Sequence, residues 1–478
     1  MLFNSFEYLI FLPITFILYW FVFNRNLKLQ NLYLLVISYI FYGWWDWRFL
    51  TLIAFSSLVD YNIGLQLDKI EKLKQRKQLL FISILVNLGL LGYFKYYNFF
   101  IDNFKIAFES IGIQMELSSL QVILPVGISF YTFQTMSYTI DVYRKKLEPT
   151  HNAIQFFAYV SFFPQLVAGP IERAKHLLPQ FSKRRYFDTV LAKDGLRQIL
   201  WGLFKKMVIA DNCAIFVNQI FEAPQDYNGI TLVFGAVMFA FQIYGDFSGY
   251  SDMAIGTAKL FGFDLMQNFA TPYFSRDIAE FWRRWHISLS TWFRDYLYIP
   301  LGGSRGGVWM KVRNTFIIFL VSGFWHGANW TFIVWGFLNA LYFLPILLTN
   351  NNRNHLDIVA ANSIFPSIKE LFLMATTFTL TTIAWVFFRA NSISDAFNYY
   401  KEIIFSDNGF LGDIEFIRML PILFILILIE WFQRKESQSL IFSSKVNWFN
   451  IMMVVVIIIL IVWCGNFLEP QEFIYFDF

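Results

Sequence analysis

Long apolar runs without a charged residue recur along the chain and dominate its pattern of hydrophobic and polar positions. Tyr8 to Phe23, Asn314 to Asn352 and Trp448 to Phe467 contain no Asp, Glu, Lys or Arg. A helix needs about 20 predominantly apolar residues to cross a bilayer. Because the runs are continuous and do not alternate, they predict membrane-spanning helices and not the strands of a barrel.

The same pattern predicts about eleven or twelve crossings and no separate soluble domain, so residues 1–478 are expected to form one membrane domain. A shorter segment, 154–170, contains Pro164 and the pair Gly169-Pro170, and it predicts a re-entrant hairpin. The predicted spans cover residues 8–23, 31–45, 49–66, 79–98, 122–140, 195–221, 229–258, 314–326, 328–348, 367–388, 413–432 and 448–467.

Composition and charge agree with a membrane protein. Hydrophobic residues make up 57% of the chain and charged residues only 15%, whereas soluble domains carry about 25% charged residues. The net charge is +4, and the basic residues fall in loops that share one side if the N-terminus lies outside the cell. This bias predicts a multi-pass protein of the cytoplasmic membrane. No basic tract interleaved with aromatic residues is present, so no nucleic-acid partner is expected.

One histidine lies deep in an apolar run. His326 has no charged residue within ten positions on either side, and thirteen helical residues separate it from Arg313, a rise of about 20 Å. Gly327 follows it and permits the helix to end there. A buried imidazole stays neutral and is able to accept a proton, so His326 is a candidate general base; the alternative is a structural core histidine.

A second histidine, His286, lies in a more charged stretch, residues 280–295. Trp282, His286, Leu289 and Phe293 recur at helical spacing, which predicts one amphipathic helix that ends before Pro300. This helix would enter the bundle from the cytoplasmic side or serve only as an interfacial anchor. The other histidines, His151, His176 and His355, lie in polar segments and are expected to be solvated.

Several apolar stretches also contain polar residues. Gln134 follows Pro125 within a predicted span, and Asp246 and Asp252 lie within or near the end of another. Such residues often serve close helix packing, but a carboxylate at membrane depth needs a partner or a water-filled cavity. No Cys or His spacing typical of a metal site is present, so no metal is predicted.

Six motifs and the terminal Phe473-Ile-Tyr-Phe resemble the membrane-bound O-acyltransferase family, in particular its polysaccharide-acetylating branch. The motifs are Leu124-Pro-Val-Gly-Ile-Ser-Phe-Tyr-Thr-Phe-Gln134, Gln165-Leu-Val-Ala-Gly-Pro-Ile-Glu-Arg173, Tyr244-Gly-Asp-Phe-Ser-Gly-Tyr-Ser-Asp252, Phe281-Trp-Arg-Arg-Trp-His-Ile-Ser-Leu289, Ile299-Pro-Leu-Gly-Gly303 and Gly323-Phe-Trp-His-Gly-Ala-Asn-Trp330. The resemblance implies a ring of tilted helices around a central tunnel, with His326 as the principal catalytic residue and His286 as the second.

The implied activity is the transfer of acetyl groups from a cytoplasmic thioester, with acetyl-CoA as the expected donor, for O-acetylation of an exported polysaccharide such as alginate. His326 would be the general base, and His286 would orient the donor or polarise its carbonyl. Further residues are expected to line the substrate or donor site: Trp282, Arg283, Arg284, Trp285, Ser288, Trp325, Asn329, Gln134 and Asp246.

No tightly bound cofactor is expected. The expected partners are the lipid bilayer, extracytoplasmic hydrolase-like acetyltransferases, and a polysaccharide acceptor that is reached directly or through them. Three alternatives stay open at this point. They are D-alanyl transfer to teichoic acid or acylation of a lipid or protein on the same scaffold, a proton-coupled transporter, and a structural scaffold for secretion.

Overall fold

The computed structural model describes residues 1–115, 119–120, 123–167, 169–406, 417–436, 440, 447–467 and 471–476. All regular secondary structure in this described part is helical. The chain divides into two compact units. Unit 1 comprises Met1–Ala192 with Thr257–Met266, and unit 2 comprises Lys193–Gly256 with Gln267–Phe478.

Unit 1 consists of helices, two of which end in a π-helical turn. Its helices are Phe6–Ile17 with the π turn Leu18–Val22, Leu27–Gly43, Phe49–Lys69, Leu73–Leu91 with the π turn Gly92–Tyr96, Tyr97–Glu109, Ile128–Tyr143, Ala153–Ser161, Phe163–Leu166 and Ala174–Ser182. Thr189–Leu203 and Gly229–Leu260 each have residues in both units.

Unit 2 holds both candidate catalytic histidines. Its elements are the π-helix Phe204–Ala210, the helices Asp211–Glu222, Ile278–Arg284 and Ile287–Phe293, the π turn Arg294–Tyr298, the helices Gly307–His326, Trp330–Leu348, Ile368–Arg389, Ile393–Phe405, Met419–Gln433 and Asn447–Cys464, and short 3-10 turns at Pro224–Asp226, Pro272–Phe274 and Ile474–Phe476.

Within the described residues, five helices are long and apolar enough to cross a membrane, and three shorter helices are also strongly apolar. The chain is therefore an all-α polytopic membrane protein, as the sequence predicts. The number of crossings and the central tunnel stay predictions. The five are Phe49–Lys69, Leu73–Glu109, Gly229–Leu260, Trp330–Leu348 and Ile368–Arg389; the shorter three are Phe6–Val22, Met419–Gln433 and Trp448–Cys464.

Several predicted boundaries are wrong by a few residues. The span predicted for 122–140 becomes helical only at Ile128, because Gly127 has a φ of +74° and precedes the helix; residue 122 lies outside the described residues. Residues 413–416 of the span at 413–432 also lie outside them. The predicted hairpin 154–170, apart from Ala168, which is not described, contains two helices that are separated at Phe162. Its re-entrant character stays a prediction.

His176 corrects the expectation of a solvated loop residue. It lies in the helix Ala174–Ser182 and is half-buried. Its Nδ1 lies 2.8 Å from the buried carboxylate of Glu172, and its Nε2 lies 3.4 Å from the exposed carboxylate of Asp264. Hydrogen bonds to Asp264 and Glu172 raise the pKa of His176 to about 10. The imidazole is therefore a cation at neutral pH and joins two segments of unit 1.

Two glycines allow the helix that carries His326 to pack closely against the next helix. A Cβ atom on Gly323 would lie 2.2 Å from the carbonyl oxygen of Phe332, and one on Gly336 would lie 2.3 Å from that of Phe319. Close approach of backbones through small residues is how helices associate in a membrane, where no hydrophobic force drives them together. The helices Gly307–His326 and Trp330–Leu348 thus form a tight hairpin, and the first of them ends at His326.

We expect Gly336→Ala to lower the melting temperature of the detergent-solubilised protein, because overpacking of this kind costs about 1–3 kcal/mol. The matched control is Gly89→Ala, since Gly89 also lies in a helix but a Cβ there would have no atom within 4 Å. That control should leave the melting temperature unchanged or raise it slightly. Equal melting temperatures for the two variants would show that the close approach does not matter.

Candidate active site

His326 is the last residue of the helix Gly307–His326, which ends at Gly327 as the sequence predicts. Only 3% of the residue is exposed. Its ring lies among aromatic rings, with centroid distances of 5.0 Å to Trp325, 5.1 Å to Trp335, 5.3 Å to Phe388 and 5.5 Å to Tyr475. This wall shields the imidazole from bulk water.

The single amphipathic helix predicted around His286 is wrong. The structure has two short helices, Ile278–Arg284 and Ile287–Phe293, and His286 lies between them with a φ of +44°, in the left-handed region. A left-handed non-glycine residue is strained and persists only where its surroundings fix it. The predicted end of the helical stretch before Pro300 is confirmed, since the π turn ends at Tyr298.

Asn268 fixes this break. Its backbone carbonyl accepts a hydrogen bond from the amide of Ile287 at 2.9 Å, and its Oδ1 accepts from the hydroxyl and the amide of Ser288 at 2.9 and 3.3 Å. The second short helix thus begins with its first amides satisfied by a side chain and carbonyl from elsewhere in the chain. The backbone can therefore leave the helix at His286 without burying unpaired amides.

The same Asn268 Oδ1 lies 3.1 Å from Nδ1 of His286. Because this oxygen is an acceptor, Nδ1 carries a proton and donates it. Burial lowers the pKa of His286 to about 3, so the ring is neutral and the lone pair lies on Nε2. A neutral ring in this tautomer accepts a hydrogen bond at Nε2. This geometry supports the predicted orienting role of His286 more than the polarisation of a carbonyl.

The two imidazoles share neighbours. The Trp325 ring lies 5.0 Å from the His326 ring and 6.2 Å from the His286 ring, so the two imidazoles are no farther apart than the sum of these distances. Phe247 provides a second link, at 4.6 Å from His286 and 4.5 Å from Tyr475, which itself contacts His326. Unit 2 therefore brings both predicted catalytic residues to one buried aromatic wall.

Four further predicted residues lie beside this wall. Trp282 packs 5.6 Å from Trp335, Trp285 packs 5.1 Å from Trp385, and the Ser288 hydroxyl binds Asn268. Asn329 is the N-cap of the helix Trp330–Leu348: its side chain accepts from the amide of Thr331 at 3.1 Å and donates to the carbonyl of Asn391. It fixes the turn after His326, and its contact with substrate stays a prediction.

The two arginines that are predicted to line the donor site have protein partners in the structure. Arg284 forms hydrogen bonds of 2.9 and 3.1 Å with the buried carboxylate of Glu280, and Arg283 donates to the carbonyls of Asn352 and His355. These contacts hold the helix that leads to His286. A donor-binding role for the arginines stays a prediction.

Asp246 and Asp252 each have a basic partner, as expected for carboxylates within a predicted span. Asp246 forms an ion pair of 2.8 Å with Lys206, and Asp252 pairs with Lys205 and accepts a hydrogen bond of 2.9 Å from Gln198. Gln134, in contrast, lies in unit 1, where its amide donates to Tyr159 and accepts from Gln165. Substrate contacts of Asp246 and Gln134 stay predictions.

The sequence does not predict a role for Asn268, Trp335, Phe388 or the buried lysines. The lysines carried a readable signal, because Lys205, Lys206 and Asp211 interrupt the predicted span 195–221 and charges at that depth need partners. Asn268 carried none, since it is a single polar residue in a loop. Among the described residues, no group of three or more His, Cys, Asp or Glu side chains could hold a metal ion.

The described chain is a helical membrane protein with two buried histidines against one tryptophan ring. The chain belongs to the membrane-bound O-acyltransferase family, whose model matches residues 39–369. It is a multi-pass membrane enzyme that transfers an acyl group from a donor substrate to a hydroxyl acceptor.

The names of individual relatives specify the acyl group and the acceptor of those proteins. The chain is 42% identical to the probable alginate O-acetylase AlgI of Pseudomonas aeruginosa, over 84% of this chain and 74% of the relative. It is 34% identical to the peptidoglycan O-acetyltransferase of Helicobacter pylori, over 82% and 78%. It is 30% identical to the teichoic acid D-alanyltransferase of Streptococcus thermophilus, over 51% and 62%. The relatives that match most of the chain are thus named for O-acetylation of polysaccharides.

Proposed function

We propose that this chain supplies acetyl groups for O-acetylation of an exported polysaccharide such as alginate, and that it takes them from a cytoplasmic thioester, acetyl-CoA. The observation that carries the proposal is the placement of His326 and His286 against the shared ring of Trp325 within an O-acyltransferase. The acetyl specificity is supported by the names of the relatives that match 82–84% of the chain.

His326 is the general base of the proposed reaction. It takes the proton of the acceptor hydroxyl as that oxygen attacks the thioester carbonyl carbon. The tetrahedral intermediate collapses, the carbon–sulfur bond breaks, and the leaving thiolate takes the proton from the imidazolium. The products are an O-acetyl ester and a free thiol, and His326 returns to its neutral state.

His286 is the orienting group. Its neutral ring accepts a hydrogen bond at Nε2 from a donor group of one substrate, while Asn268 holds Nδ1. The strained backbone at His286 fixes the direction of the ring, and correct placement of reacting groups is itself a large part of catalysis. Trp325 in the wall, together with Trp282 and Trp285 beside it, keeps water from the thioester.

The proposed setting is the cytoplasmic membrane, with the N-terminus outside the cell. The donor then arrives from the cytoplasm, and extracytoplasmic hydrolase-like proteins complete the transfer to the polysaccharide. D-alanyl transfer is the second candidate, since the teichoic acid D-alanyltransferase of Streptococcus thermophilus is 30% identical over half of this chain. Its shorter match favours acetylation.

The test uses inside-out vesicles from the source cells, which expose the cytoplasmic face, with acetyl-CoA labelled in the acetyl group. We expect label in polymer that hydroxylamine releases, as it releases O-acetyl esters, and no such label in vesicles without this chain. A parallel incubation with labelled D-alanine and ATP tests the second candidate. Ester label from D-alanine alone would reject acetylation, and label that only enters the vesicle lumen as free acetate would reject acyl transfer.

A further inference from the structure

We propose that the buried ion pair of Lys206 and Asp246 docks the segment of residues 471–476 and thereby positions Tyr475 against His326, which makes Lys206 a positioning residue of the reaction. The significance for catalysis depends on the proposed function, whereas the docking does not. Unit 2 contains buried charges that the reaction steps do not use.

Lys206 lies in the π-helix Phe204–Ala210 and is 1% exposed. Its Nζ is 2.8 Å from the carboxylates of both Asp211 and Asp246, which are also buried. Charges within a membrane domain are costly and commonly mark function. A π-helical stretch within a longer helix is also frequently found at functional sites.

The 471–476 segment completes the polar contacts of this site through its backbone. Nζ of Lys206 donates to the carbonyl of Gln471 at 2.9 Å, and Oδ2 of Asp246 accepts from the amide of Ile474 at 2.7 Å. One residue of the ion pair thus binds a carbonyl of the segment and the other binds an amide three residues further along. These two bonds fix the position of the segment along its own length.

Tyr475 follows the bound amide directly. Its ring lies 5.5 Å from His326 and 4.5 Å from Phe247, and Phe247 lies 4.6 Å from His286. Phe473 packs 4.6 Å from Tyr250 on the same helix as Asp246. The docked segment therefore supplies one side of the wall around the base, and its release would remove the Tyr475 side of that wall.

The first test separates the backbone amide from the side chain of Ile474. Ile474→Pro removes the amide hydrogen and leaves every buried charge in place, and proline is tolerated at the first position of a helical turn. Ile474→Ala is the matched control, because it shortens the side chain and keeps the amide. The readouts are acetyl transfer in vesicles and deuterium exchange of the amides of residues 471–476 in the purified protein.

We expect Ile474→Pro to reduce kcat by about 10- to 100-fold with little change in the KM for the donor, and to speed exchange in the segment. Ile474→Ala should stay within about threefold of the unmodified enzyme in kcat, because it keeps the buried hydrogen bond from the amide of residue 474 to Asp246. Rapid exchange with full activity would reject the positioning role. Unchanged exchange in Ile474→Pro would reject the docking itself.

The second test removes the lysine. Lys206→Met alone leaves two buried carboxylates unpaired, so it is combined with Asp211→Asn and Asp246→Asn to keep the site neutral. We expect faster exchange at residues 471–476 and a reduced kcat in this variant, and slow exchange in Asp211→Asn alone, where the ion pair of Lys206 and Asp246 remains. If the triple variant keeps slow exchange, Lys206 does not dock the segment.

His326→Ala distinguishes the two proposals. It should abolish transfer and leave exchange at residues 471–476 slow, because it does not touch Lys206 or Asp246. If exchange at residues 471–476 is fast in Ile474→Pro and the His326→Ala enzyme is still active, the docking of the segment is supported and the proposed chemistry is rejected.

Discussion

Replacing His326 by alanine is expected to reduce acetyl transfer by about 100- to 10,000-fold, which is the usual contribution of a general base. The residue lies at the end of its helix, 3% exposed and surrounded by Trp325, Trp335 and Phe388. His286, the other imidazole at this wall, has the orienting role in the proposed reaction, so alanine at position 326 leaves the acceptor hydroxyl without its base. The measurement is polymer O-acetyl content in cells whose only copy carries the variant.

The control for this variant is His151→Ala, because His151 is an exposed histidine of unit 1 and its loss should leave acetylation unchanged. Membrane levels of each variant are measured by blot and melting temperatures after solubilisation, so that loss of protein is not mistaken for loss of chemistry. Acetylation near the unmodified level in a stably inserted His326→Ala protein would show that His326 is structural.

The second large loss of activity is expected on replacing His286, where glycine tests the role of the side chain better than alanine does. Because φ is +44°, alanine keeps the backbone strain of about 1 kcal/mol that the histidine already carries, whereas glycine adopts this conformation freely. We expect His286→Gly to reduce kcat by about 100-fold through loss of orientation. His286→Asn tolerates the left-handed backbone and keeps a hydrogen-bonding side chain, so it should retain more activity than glycine.

Melting temperatures separate the effect of backbone strain at residue 286 from the loss of the imidazole side chain. His286→Ala should melt below His286→Gly if the backbone strain is real, while both should be about equally inactive. The neutral state of the ring gives a further check: the loss in His286→Gly should not depend on pH between 6 and 8, because burial lowers the pKa of His286 to about 3. Activity of His286→Gly close to that of the unmodified enzyme would reject the orienting role.

The sequence predicted well those features that depend on a short stretch of chain. Lipid imposes the same demand on every residue of a span, so apolar runs are sufficient to predict helices such as Phe49–Lys69 and Ile368–Arg389. The end of the helix at His326 was also readable, because the next residue is glycine. The resemblance of motifs indicated the family and the two histidines as candidates.

Prediction failed where a distant residue decides the local conformation. The helical spacing of Trp282, His286, Leu289 and Phe293 indicates one helix, yet Asn268 binds the amides of Ile287 and Ser288 and allows the chain to break between them. The residues predicted to form one helical stripe therefore lie on two separate helices and the residue between them. Nothing within residues 280–295 reveals a hydrogen-bond partner that lies twelve or more residues earlier.

By itself, the sequence determined the all-helical membrane fold, its most apolar spans and the burial of His326, because these follow from hydrophobicity along the chain. Only the tertiary structure decided that His286 is left-handed, that both imidazoles share Trp325, and that Lys206 meets Asp246 and the 471–476 segment. The physical reason is that burying a polar or charged group requires a specific partner, and that partner is chosen by packing between segments far apart in the chain.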